Sequence, residues 1–179
     1  MDVAALVVKS LVLYALAEHQ AGHARTVCVD IDDGGFSVSD DGRGHAIHRD
    51  IEGTPYLALI YEQVQYPFGG SSPGPVQPQG IGMSLINALC IELEVLVQKA
   101  DCEHRLHYIG GRLHAHERTS KFSAQTGNRI RGRIDPAFQS TQPSRVELQS
   151  WLEAIQKAAP ALALQFNGSF CRASQRSGA

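Results

Sequence analysis

Ser37-Val38-Ser39-Asp40-Asp41-Gly42-Arg43-Gly44 ends a β-type run in a carboxylate and follows it with two glycines in Asp-x-Gly-x-Gly spacing. Glycine lets the backbone adopt left-handed dihedrals and lets a planar ligand lie close against the chain. Asp40 then offers an acceptor at the floor of that opening, suited to an exocyclic amine such as N6 of adenine. Asp-Asp-Gly also marks ordinary tight turns, so this motif needs a companion. The companion is Gln79-Gly80-Ile81-Gly82-Met83-Ser84-Leu85-Ile86-Asn87-Ala88-Leu89-Cys90, where two glycines open an apolar run of helical period. Unpaired N–H groups at a helix start form an anion cradle. A helix entered through a flexible loop gives the same pattern.

The elements that must position these residues are legible in the apolar periodicity. Val3 to Gln20 reads as a helix stopped by Gly22. Val27, Val29 and Ile31 alternate as a strand, and Asp33-Gly34-Gly35 turns the chain into a second, Phe36 to Asp40. A helix is expected over Tyr56 to Gln65 and another over Met83 to Cys90. Leu93, Val95 and Val97 form a third strand. Glu103 to Ile109 and Arg112 to Arg118 make a hairpin about Gly110-Gly111, and Arg129 to Ile134 another strand. Val146 to Ala159 is helical, with Leu148, Leu152 and Ile155 on one face. Leu162, Leu164 and Phe166 close the pattern. The expected architecture is an α+β two-layer sandwich, a mostly antiparallel sheet with helices on one face. One domain is expected over 1–171, with a loose tail over 172–179.

Composition narrows the function classes. The chain has 179 residues, 43% hydrophobic and 19% charged, which suits one folded domain with its own core. A formal charge of −2 supplies no general attraction to nucleic acid. Arg129, Arg131 and Arg133 alternate along one strand and read as a solvated face. Cys28, Cys90, Cys102 and Cys171 show no Cys-x-x-Cys spacing, so neither disulfides nor structural zinc are expected, and the reading is a soluble, cytoplasmic chain. Val3 to Ala17 imitates a signal peptide, but Asp2 stands where a basic residue belongs and Lys9 interrupts the run, so no membrane segment is expected. On the Gly110-Gly111 hairpin a two-residue turn pairs His107 with His114 and Arg105 with His116. Three histidines there could ligate zinc or nickel. Without an acidic or thiolate companion they read as polar side chains on a solvated strand pair, and no metal site is expected.

Ala21-Gly22-His23, Asp40-Asp41-Gly42-Arg43-Gly44, Gly80-Ile81-Gly82 with Ile86-Asn87-Ala88-Leu89, His104-Arg105 and Thr126-Gly127, in that order, resemble the nucleotide-binding domain of the GHKL ATPases, in the gyrase B and topoisomerase IV branch. The resemblance runs from Leu6 to Phe166 and implies a Bergerat-type fold binding an adenine nucleotide, ATP or ADP. It implies that Asp40, Gly42, Arg43 and Gly44 face the base and that Gly80, Ile81 and Gly82 face the phosphates. Arg105 would sit at the pocket rim, and Asn128 takes the place of a threonine that helps hold adenine.

The chain departs from the family at its first motif, Glu-x-x-x-Asn on the opening helix. The Glu activates water and the Asn holds magnesium. The matching positions are Ser10 and Tyr14, four apart on one helix face. A serine hydroxyl is a poor base and a phenol a poor substitute for a compact amide ligand. No catalytic residue is therefore assigned, and magnesium loses its ligand. Glu18, one turn further on, is the remaining carboxylate that could act as base. Pro78 removes a donor from the phosphate loop, and Gly69 to Gly80 is shorter than the family's lid.

Three functions follow from the resemblance. The first is a catalytically degenerate binder of ATP or ADP, with weak affinity and no need of magnesium. The second is an interaction or regulatory protein, engaging a protein partner, with Tyr14 filling the phosphate space. The third is a remote active ATPase using Glu18. The branch's dimerisation arm and lysine-bearing second domain have no counterpart between Met1 and Ala179, so DNA strand passage is not expected of this chain alone.

Overall fold

A computed structural model describes residues 2–32, 35–63, 80–120, 123–138 and 144–171; the expected tail over 172–179 lies outside them. Helix α1 spans Val3–Gln20, as the apolar run predicts. Asp2 caps it by accepting from the Ala5 N–H at 2.9 Å, and Gly22, at φ 81°, turns the chain away after it. By length and composition α1 would suffice to cross a membrane. It is packed instead as a core helix, with Val7, Val8 and Val12 fully buried.

Strands β1 (Thr26–Ile31) and β2 (Phe36–Asp40) form the expected hairpin; its tip at Asp33-Gly34 lies outside the described residues. A two-stranded ribbon follows, β3 (Asp50–Ile51) and β4 (Thr54–Pro55), turning at Glu52 and Gly53 with φ 52° and 80°. Positive φ at both central residues is what a tight two-residue hairpin requires. The ribbon is too short to show as alternation in the sequence. Helix α2 spans Tyr56–Glu62 and ends at Gln63, short of the expected Gln65. Helix α3 spans Met83–Ala88 only. The expected run to Cys90 is cut short because Cys90 already pairs with Ile134 as the first residue of β5 (Cys90–Gln98). Then come β6 (Cys102–Ile109), β7 (Arg112–Ser120), β8 (Gly127–Ile134), helix α4 (Arg145–Ala158), β9 (Ala163–Phe166) and β10 (Ser169–Phe170).

The main sheet runs β10-β9-β1-β2-β8-β5-β6-β7, with β1 and β9 parallel and the other pairings antiparallel. Alternation gives it one apolar face, carrying Val27, Val29, Val38, Leu93, Val95, Ile130, Leu106, Tyr108 and Leu164, all buried. Side chains of α1 and α4 join that core, including Leu11, Leu148 and Leu152. The result is the two-layer α+β sandwich expected. The opposite face is polar: Asp30, Arg129, Arg131 and Arg133 are exposed there.

The β6–β7 hairpin departs from the simple register. A bulge between His107 and Tyr108 pairs Tyr108 with Leu113 but His107 with Ala115, leaving His114 as the extra residue. Beyond it Leu106 faces His116 and Arg105 faces Glu117, so the expected register of His107 with His114 and Arg105 with His116 does not form, although the His107 and His114 rings still meet edge-on at 5.9 Å. One residue of slip moves a side chain to the other face. His116 thereby joins buried His104, with Nδ1 of His104 3.0 Å from Nε2 of His116.

Gly127 enters β8 at φ 129°, and a Cβ there would strike the Asp40 carbonyl oxygen. Gly168 also has positive φ but open space around it. Gly127→Ala is expected to cost about 1–3 kcal/mol and Gly168→Ala about 1. Urea denaturation of the two variants checks the difference; equal losses would mean the approach to Asp40 is not tight.

Candidate functional site

The ends of β2 and β8 and the inner face of α1 meet around a cavity of about 200 Å³. Its lining includes Asp40, Gly44, His45, Tyr14, Asn128 and Ile130. The volume is below the roughly 300–1,000 Å³ usual for small-molecule pockets and suits one flat base better than a whole nucleotide.

Asp40 is the last residue of β2, so its side chain emerges where the strand stops and the glycine loop begins. Its Oδ1 accepts from the Gly42 N–H at 2.9 Å and its Oδ2 from the Asn128 amide at 3.3 Å. No ion pair to it occurs among the described residues. Burial raises its pKa against the pull of these two donors. A part-buried carboxylate facing a hollow without a cation has acceptor capacity left for a ligand's N–H. The adjacent Asp41 turns outward: its Oδ1 accepts from the N–H groups of Arg25 (2.7 Å) and Thr26 (2.8 Å). Despite partial burial, those bonds hold its carboxyl below the usual range. Of the two acids, one shapes the loop and the other faces the cavity.

The loop is clamped from several sides. Arg43 forks onto Glu18, Nη2 to Oε1 at 2.8 Å and Nε to Oε2 at 3.1 Å, and the Arg43 hydrogen bonds pull the Glu18 pKa down. Lys99 donates to the carbonyls of Arg43 (2.7 Å) and Gly44 (3.0 Å). Thr126 Oγ1 donates to the Gly42 carbonyl at 2.8 Å. Asn128 links the two sides: its Oδ1 accepts from the His45 N–H at 2.9 Å while its amide reaches Asp40. His45 Nε2 lies 3.0 Å from the Tyr61 hydroxyl, and burial, with nearby Lys99, pushes its pKa down to about 4. The ring is neutral at pH 7.

Other expected residues fall differently. Ser10 is 1% exposed, donates to the Leu6 carbonyl at 2.8 Å and accepts from the Ile81 N–H at 3.1 Å. A Cβ on Gly80 would lie 2.9 Å from Ser10 Oγ. The Gly80-Ile81-Gly82 segment is therefore seated directly on α1 at Ser10. Tyr14 lines the cavity, its phenol kept neutral by burial. Arg105 is not brought to the cavity. Its position between buried His104 and Leu106 puts it on the open face of the sheet, where it pairs with Glu94 (3.4 Å) and Glu103 (3.3 Å). The Gly69–Gln79 stretch, including Pro78, lies outside the described residues.

A test of fit separates two ligands. For a purine base the groups match: a carboxylate with no cation on it among the described residues and lone pairs to spare, flanking glycines and an amide. For magnesium, positions 10 and 14 offer a hydroxyl already engaged on its donor and acceptor sides and a phenol, a poor pair of ligands for a hard cation. The loop-bracing residues His45, Lys99 and Tyr61 were not legible in the sequence, since none lies in a motif. Glu18 was legible as a position on the α1 stripe, but not as the partner of Arg43.

Comparison with known proteins agrees with this fold. No protein-family model matches the chain. The B subunit of DNA gyrase from Mycobacterium tuberculosis is 30% identical over 135 residues, 72% of this chain and 20% of that protein. The B subunit of DNA topoisomerase 4 from Pseudomonas aeruginosa is 34% identical over 106 residues, 52% of this chain and 16% of that protein. Among solved structures, the topoisomerase IV ATP-binding domain of Francisella tularensis, in complex with a small-molecule inhibitor, superposes with a TM-score of 0.75 at 22% identity. That match covers 88% of this chain and 77% of the other. This is the GHKL ATPase fold. The chain spans about one fifth of the length of the gyrase B proteins it matches.

The neutral His45 makes the GHKL loop acid-sensitive. A histidine whose folded pKa is lowered contributes full stability above its unfolded pKa of about 6.5, and that stability is lost as pH falls from there toward about 4. Stability measured by denaturant titration should fall across that window by up to about 3 kcal/mol. His45→Gln, which cannot charge, should flatten the decline; an unchanged pH profile would show that His45 is not buried as described.

Proposed function

We propose that this chain is an adenine-nucleotide-binding domain of gyrase B type that binds ATP or ADP without hydrolysing it by the family mechanism. The observation that carries the reading is Asp40: a part-buried carboxylate, free of cationic partners among the described residues, lining a base-sized hollow. Adenine N6 would donate to it, with Gly42, Gly44 and Asn128 around the ring. The phosphates would lie beyond, toward Gly80-Ile81-Gly82. The chemistry expected of an ATPase lacks its residues: Ser10 is engaged at both its donor and acceptor sides, and Tyr14 cannot replace an amide ligand. Glu18 is a poor substitute base, because Arg43 holds its carboxylate at 2.8 Å and lowers its proton affinity. The proposed setting is soluble and intracellular, in keeping with the four free cysteines.

A second reading, an interaction or regulatory domain without a ligand, is favoured by the small cavity and by the seating of Gly80 against Ser10. Calorimetric titration with ATP and ADP, with and without magnesium, decides between them. Magnesium-independent binding is expected, with no turnover. Asp40→Asn exchanges an acceptor oxygen for a donor and should weaken binding about 10–100-fold. Because burial raises the Asp40 pKa, the same substitution should not lower thermal stability near neutral pH. Failure of either nucleotide to bind would favour the second reading, and turnover abolished by Glu18→Ala would overturn the first.

A further inference from the structure

At the far end of the loop that begins with Asp40, a second constellation forms from residues distant in sequence. A ring nitrogen of His48, a carboxylate oxygen of Asp101 and the thiol sulfur of Cys102 all lie within 4.8 Å of one another. We propose that these three side chains bind a thiophilic divalent transition-metal ion of the zinc class.

The donor set suits such an ion: imidazole nitrogen, carboxylate oxygen and thiolate sulfur are the ligand types zinc takes, and three protein ligands leave a fourth tetrahedral position for water. His48 and Asp101 are exposed, which gives an entry path, whereas Cys102 is 3% exposed and fixed as the first residue of β6. The thiol donates a hydrogen bond to the Asp101 carboxylate. A dication would take the place of that proton. The Cys102 S–H bond breaks, a metal–sulfur bond forms and the proton leaves to solvent. The dication, thiolate and carboxylate sum to zero charge, so neighbouring Lys99 and Arg118 do not oppose the bound state.

Contacts that involve none of the three ligand atoms set this geometry. The β5–β6 turn is closed by the Lys99 N–H on the Cys102 carbonyl at 2.8 Å, and the Ser123 N–H reaches the Ala100 carbonyl at 3.0 Å. Lys99, in the same turn, holds the carbonyls of Arg43 and Gly44, which start the loop carrying His48. A further nitrogen without a hydrogen-bond partner among the described residues is Nε2 of His104, two residues along β6 on the buried face that Cys102 shares. His104 is 6% exposed and within electrostatic reach of His48. Cysteine spacing alone could not reveal this group, because one ligand comes from the glycine loop and two from a strand turn.

The test uses the full chain stripped of metal with a chelator, then titrated with Co2+ and no nucleotide, so its outcome is independent of the adenine reading. The wild type should bind one equivalent and develop the near-ultraviolet band of a thiolate–cobalt bond. Cys102→Ser should lose the band. His48→Ala, at an exposed position that leaves the fold intact by circular dichroism, and Asp101→Asn should each weaken binding about tenfold or more. A wild type without the band would overturn the proposal. So would a band that survives in Cys102→Ser, or a folded His48→Ala that binds cobalt as the wild type does.

Discussion

The part-buried carboxylate of Asp40 is the constraint around which the site is arranged. Desolvation disfavours its charge, and two hydrogen bonds, from the Gly42 N–H and the Asn128 amide, offset only part of that cost. A domain needing only stability would pair this group with a cation or replace it. Nearby cations exist, but they are committed elsewhere: Arg43 to Glu18, and Lys99 to two backbone carbonyls. Those commitments shape the loop and at the same time leave Asp40 open to the hollow beside it.

The same segment shows how backbone and side chain divide the work. Gly42, Gly44 and Gly127 let three chain segments crowd together at the ends of β2 and β8, with Gly44 and Gly127 at φ 69° and 129°. Asn128 and Thr126 then tie those segments across the gap. On the other side of the cavity, Ser10 brings the Gly80 segment down onto α1. A side chain on residue 80 would strike Ser10 in this arrangement. The small side chains at positions 10 and 80 and the close seating of the loop are thus two sides of one packing solution.

Much of this was readable from residue order, and the exceptions have physical causes. Helix α1 was legible to the residue because its apolar run is long and Gly22 ends it. The Asp40 loop was legible because Asp-x-Gly-x-Gly constrains the backbone strongly. The end of α3 was not, since Asn87-Ala88-Leu89-Cys90 continues a helical pattern and only pairing of Cys90 with Ile134 makes it a strand. The β6–β7 register failed for a similar reason: a two-residue glycine turn implies simple pairing, and nothing local announces a bulge at His114. Arg105 was expected at the pocket through family likeness, yet strict alternation along β6 sets it on the opposite face. His45, Lys99 and Tyr61 brace the site through tertiary contacts, which leave no periodic or motif signal.

The central claim is that adenine meets Asp40 in this hollow. It is tested most directly by heteronuclear NMR of the wild-type chain titrated with ADP. The account predicts that the Asp40 side-chain carboxyl carbon and the backbone amides of Gly42, Gly44 and Asn128 shift together and saturably. Saturable shifts confined to the open face of the sheet, or none at all, would contradict it.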